Sequence, residues 1–157
     1  MRIVPIAVAT LTALAATAGV AAVSGKKAAQ IAHERHEGME SIGKAFKALH
    51  REFDSPAPDA AAVKASADQV AVLAAKSSSW FAKGSGPEAG KTGAKPEIWQ
   101  NWPDFVAKNR AFQQSAQAFR TMAAKGDMAA AKKTCKTCHK AWRDKYKKEF
   151  RLKPVAG

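Results

Sequence analysis

Two thiols three positions apart, followed at once by an imidazole, stand at Cys135-Lys136-Thr137-Cys138-His139, near the end of a 157-residue chain. On a helix these side chains fall within one turn, so the fold must bring a second wall up to them. The pattern is the attachment signature of one covalent c-type haem. Each thiol adds across a vinyl group to leave a thioether, and His139 offers a ring nitrogen to the iron. These are the only two cysteines. A thioredoxin-like redox pair would sit in a βαβ pattern, which is absent, and half a zinc site would need further Cys or His at ligand spacing.

Alanine is abundant, the single Tyr and few Val and Ile are poor material for strands, and no run alternates apolar and polar residues for long. The expectation is one all-α domain. From Lys26 to Phe53 the positions Ile31, Arg35, Met39, Ile42, Phe46, Leu49 and Phe53 step by four and three, one stripe of a first helix that Pro56 and Pro58 end. Asp59 caps a second helix whose stripe is Val63, Ala67, Val70, Ala74, Ser77 and Phe81, widened by Leu73 and Trp80 and closed at Lys83-Gly84. Ser85 to Lys95 has no hydrophobic period and reads as a loop, and Pro96 to Trp99 as a short helical turn.

Trp102-Pro103-Asp104 opens a third helix with Phe105, Asn109, Phe112, Ser115 or Ala116, Phe119 and Met122 inward. Lys125-Gly126-Asp127 stops it and caps the fourth, which carries the Cys135 to His139 turn and continues through Trp142, Tyr146 and Phe150. Short first and last links predict an antiparallel, up-down-up-down four-helix bundle with covalent haem.

The net charge is +13, and the chain from Lys132 onward holds ten basic and two acidic residues, +8 of that total. Such a patch suits either a solvated helix face or a docking surface for an acidic protein partner. No zinc-finger spacing, base-stacking motif or recognition-helix pattern argues for nucleic acid. Met1-Arg2 followed by an uncharged stretch from Ile3 to Val23, ending in small residues, reads as a cleavable export signal over residues 1–22, with cleavage after Ala18 or Ala22. The rival is an uncleaved anchor of about 20 apolar residues. With cleavage, residues 23–157 form the four-helix-bundle haem domain, with no stable membrane insertion.

With the haem turn on the last of four helices, the chain resembles the class II cytochromes c, the cytochrome c′ superfamily. The residues that carry the resemblance are Cys135, Cys138 and His139, Arg143 four after the histidine, Lys95-Pro96-Glu97-Ile98-Trp99, and Arg35, Met39, Ile42-Gly43 and Ala48-Leu49 in the first helix. The resemblance implies a periplasmic protein, monomer or homodimer. It also implies that the residue four after Arg35 faces the iron. High-spin members have a non-ligating side chain there, and low-spin members a methionine. Met39 in that place implies His139/Met39 ligation in the low-spin branch, with His36 one turn earlier as the competing ligand and a gap-filling core methionine as the plain alternative. Arg35 is either a partner for a haem propionate or half of a surface salt bridge with Glu34 or Glu40.

The expectation is therefore a non-enzymatic carrier of single electrons between redox partner proteins, steered by the basic tail. A high-spin cytochrome c′ binding nitric oxide or carbon monoxide at an open distal face is the alternative. Weak peroxidase or nitrite-reducing activity is a third reading. His33 and His50 are expected to face solvent.

Overall fold

The computed structural model describes residue 23 and residues 25–143. The expected signal, residues 1–22, and Tyr146 and Phe150 lie outside the described residues. Among the described residues five α-helices follow in order: α1 (Gly25–Asp54), α2 (Ala60–Lys76), the short α3 (Glu97–Gln100), α4 (Trp102–Ala124) and α5 (Met128–Ala141). The long four, α1, α2, α4 and α5, form the bundle. No helix among the described residues is long and apolar enough to cross a membrane.

Each turn of chain has a local cause. Ser55-Pro56-Ala57-Pro58 cannot continue α1, and the Asp59 carboxylate accepts from Ala61 N at 2.8 Å and Ala62 N at 3.3 Å, a cap that contributes about 1 kcal/mol. Glu52 also accepts from Asp59 N at 3.0 Å, which folds the link back on itself. Between α4 and α5, Gly126 takes a left-handed φ of 72° and Asp127 accepts from Ala130 N at 2.9 Å. A stop and a start this close make α4 and α5 antiparallel neighbours.

The second helix is shorter than its stripe suggests. α2 ends at Lys76 and the chain tightens into a 3-10 turn over Ser77–Phe81 before Gly84, at φ 84°. The reason is polar. Buried Ser77 places Oγ 2.6 Å from the Ala74 carbonyl and 2.7 Å from Asn109 Oδ1 on α4, and Asn109 Nδ2 donates to Ser78 Oγ at 2.9 Å. Gln113 Nε2 adds a bond to the Ala74 carbonyl at 3.1 Å. Together with Arg120 on Asp68 at 2.7 Å, these contacts fix α2 and α4 in antiparallel register.

The core is aromatic. Phe46, Phe105, Phe112 and Phe119 are fully buried with Ile42, Leu49, Val63 and Val70 around them. Burying each large side chain contributes about 1.5–3 kcal/mol. On α1 the buried face is Ala28, Arg35, Gly38, Ile42, Ala45, Phe46, Leu49 and Phe53. Ile31 and Met39, expected inside, are only half-buried. Gly38 replaces Met39 at the centre because the Trp80 indole lies against it: a Cβ there would come within 2.3 Å of the ring.

Candidate functional site

The late cysteine turn lies on the face of α5 that looks into the bundle. Cys135 is 3 % exposed and Cys138 is fully buried. Burial pushes Cys135 up to about 11 and Cys138 up to about 12, the latter also raised by its neighbour Cys135. The pair is therefore neutral in the folded chain, the opposite of the low-pKa thiol that a thioredoxin-like redox pair requires.

Antiparallel packing against α1 surrounds His139 with rings. Phe46 stands 4.8 Å away between centroids and Trp142 5.9 Å away, nearly stacked at 26°, while Phe46 and Trp142 are 5.4 Å apart. Trp142 lies over Gly43, where a Cβ would meet the indole at 3.7 Å. Further along, Lys132 Nζ donates to the Phe53 carbonyl and closes the other end of the α1–α5 seam. The seam is thus lined with flat rings beside two neutral thiols and an imidazole. Among the described residues no three His, Cys, Asp or Glu gather to hold a bare metal ion. This donor set fits a planar group anchored at Cys135 and Cys138, with His139 as its ligand, and not a bare ion.

His50 was expected to face solvent, and much of it does. Its Nε2 nevertheless lies 3.2 Å from His139 Nδ1. The sequence signal for this was spacing: His50 follows Phe46 by four residues and shares its side of α1.

Arg35 has a role that neither expectation contained. It is 4 % exposed, not on the surface. Its Nη1 donates to the Trp80 carbonyl at 2.8 Å and to Ser85 Oγ at 3.3 Å, and its Nη2 to the Ser85 carbonyl at 2.9 Å and Thr92 Oγ1 at 2.8 Å. The rings of Phe81 and Trp99 flank it at 5.3 and 5.6 Å. Burial lowers its pKa from the ordinary guanidinium value to about 10, with the Glu88 carboxylate pulling the other way, so the group stays cationic near neutrality. Arg35 ties the connection between α2 and α3 to α1. A propionate approaching either terminal nitrogen would compete with these four acceptors.

Met39 is half-buried at the rim of the core. It lies seven positions before Phe46, one of the two α1 rings against which His139 packs, a rise of about 10 Å. His36, the competing ligand, is exposed, as is His33. Trp102, at the start of α4, is 40 % exposed and stacks on Phe105 at 5.4 Å. Trp99 packs inward, with Nε1 donating to the Ala82 carbonyl at 3.1 Å.

Residues 30–143 match the family model described as Cytochrome C′. A curated cytochrome c′ from Alcaligenes xylosoxydans xylosoxydans is 35% identical over 94 residues, 55% of this chain and 71% of that protein. A cytochrome c′ structure noted for ligand-controlled dimer dissociation superposes with a TM-score of 0.74 at 26% identity, covering 83% of this chain and 100% of that one. A variant cytochrome c′ from Alcaligenes xylosoxidans, at 23% identity, shares the fold, with a TM-score of 0.69 over 80% of this chain and 97% of its own. These matches do not support the low-spin, methionine-ligated branch, and they favour the alternative, cytochrome c′, over a His/Met electron carrier. The chain belongs to the cytochrome c′ family and is a c-type haem protein with one covalently bound haem iron.

Proposed function

We propose that this chain is a periplasmic cytochrome c′ in which His139 is the protein's only iron ligand and the opposite face of the haem receives a small diatomic molecule, nitric oxide or carbon monoxide. The observation that carries the reading is the offset of Met39. Met39 lies about 10 Å of helix rise from Phe46, which packs on His139, and is half-buried at the edge of the hydrophobic core, a place that suits a side chain bordering the haem and not ligating its iron. The variant Alcaligenes protein of the same fold is a nitric oxide complex, which supports the choice of ligand.

The haem supplies an iron with affinity for such molecules. The chain's residues do the rest. Cys135 and Cys138 would hold the ring and His139 Nε2 would bind the iron, while Phe46 and Trp142, packed on His139, restrict the imidazole's rotation. His36 faces outward, which leaves the distal side without an acid/base partner from that residue and suits binding, not turnover. Electrons to set the ferrous state would arrive from an acidic redox protein docking on the exposed Lys133, Lys136 and Lys140 of α5.

Optical spectra of the purified haem protein test the reading. A five-coordinate, high-spin ferrous spectrum that changes on adding nitric oxide or carbon monoxide is expected. Met39→Ala should leave the resting spectrum unaltered and raise carbon monoxide affinity. A ferric sulfur-to-iron charge-transfer band that disappears in Met39→Ala would overturn it.

A further inference from the structure

The helix that faces the haem turn contributes one more group to the ligand histidine. His50 Nε2 lies 3.2 Å from His139 Nδ1, with the two rings edge to face at 72° and centroids 4.9 Å apart. Phe46, one turn earlier on the same side of α1, already packs against His139 at 4.8 Å. One helix thus both bounds the ring and reaches its outer nitrogen.

We propose that His50 is a positioning residue for His139, acting through the His139 Nδ1–H. The proton count leaves a single arrangement. A neutral imidazole that gives Nε2 to iron must carry its proton on Nδ1, so His139 donates. His50 accepts at Nε2 and keeps its own proton on Nδ1. The contact fixes His139 in the tautomer that presents an Nε2 lone pair and sets the ring's rotation about its side-chain bonds. An acceptor on the outer N–H also makes a metal-bound imidazole a stronger electron donor, which favours the ferric over the ferrous state. A carboxylate, a carbonyl or water usually fills this role. In this chain a second histidine stands there.

The inference rests on His139 ligating the iron, as in the function proposed above. Its test compares His50→Leu, which cannot accept, with His50→Gln, whose amide oxygen can, in the haem-loaded protein at about pH 8, above the ordinary histidine range. Two quantities are read: the midpoint potential and the iron–histidine stretching band of the ferrous protein by resonance Raman.

For His50→Leu the expected result is a shift of about tenfold toward the ferrous state, the lower end of the effect of deleting such a partner. That is a rise of about 59 mV for one electron. The stretching band should move to lower frequency. His50→Gln should keep both values near the parent's. Equal shifts in the two variants, or none in either, would overturn the role of His50. If His50→Leu fails to retain haem, His50→Ala against His50→Gln gives the same comparison. A ferrous protein that lacks the band because a sixth ligand is bound would count against the open distal face, while the difference in potential would still decide the role of His50.

Discussion

Arg35→Met separates a loop tie from a propionate clamp, and the structure gives the size of the effect. Four acceptors lose a donor. Ser85 Oγ keeps its bond to the Ala82 carbonyl at 2.7 Å, and Thr92 Oγ1 keeps the Ala94 amide at 3.2 Å. The Trp80 and Ser85 carbonyls lose the guanidinium that faced them at 2.8 and 2.9 Å. Each buried carbonyl left unsatisfied costs about 1–3 kcal/mol. Part of that is returned, because the variant no longer buries a cation whose pKa is held down at about 10. A net loss of about 2 kcal/mol follows, about 4–8 °C in Tm for a chain of this size. Arg35→Lys should fall between, since a point-charge ammonium cannot span acceptors arranged for a planar fork. Denaturant titration of the haem protein measures the loss, and amide exchange at Ser85, Ala94 and Trp99 locates it. Unchanged stability and unchanged exchange, together with a displaced haem potential, would refute the loop tie and return Arg35 to the propionate.

Gly38→Ala tests the Trp80 contact: helix propensity alone offers about 1 kcal/mol of gain, but the new Cβ would lie 2.3–2.8 Å from indole carbons. Overpacking of that kind costs about 1–3 kcal/mol, so a net loss of stability is expected, and a gain in thermal unfolding would refute the close packing. Phe46→Ala empties the space between His139 and Trp142 and should lower unfolding free energy by about 3–5 kcal/mol. In chain expressed without haem, both thiols have folded pKa values raised above the unfolded one, to about 11 and about 12. Their contribution is complete below about pH 9 and is lost as pH rises through those values, with a slope of about 1.4 kcal/mol per unit for each thiol that titrates. Urea titrations from neutral pH upward, with Cys135→Ser/Cys138→Ser lacking the slope, check this.

Much of the bundle is legible in the sequence because its signals are local. Proline and glycine end the helices, Asp59 and Asp127 cap them, and Phe105, Phe112 and Phe119 fall at sevens along one face. The haem turn is equally local, three residue types within five positions. What periodicity cannot supply is which stripe members go deepest. Ile31 and Met39 fit the pattern of α1, yet Gly38 is at the centre because a tryptophan from another element needs the room. Arg35 was readable as an unusual cation on an apolar stripe, but its partners lie 45 to 57 residues away in a connection without periodicity. For His50 the spacing from Phe46 is visible, but an exposed histidine on a helix flank acquires a partner only when α5, 89 residues on, is packed beside it.

Cys135 and Cys138 stand on a single turn of α5, and this bears on what covalent attachment contributes. A cross-link restrains the unfolded chain in proportion to the loop it closes, and anchors three residues apart close almost none. No two helices are joined. The bond therefore contributes retention, with little stabilisation from chain entropy. When the bundle unfolds the prosthetic group travels with α5, so stability carries no dependence on free haem concentration, unlike that of a protein whose cofactor dissociates. Refolding is correspondingly a unimolecular event, in which the last helix returns with its own filling for the seam against α1.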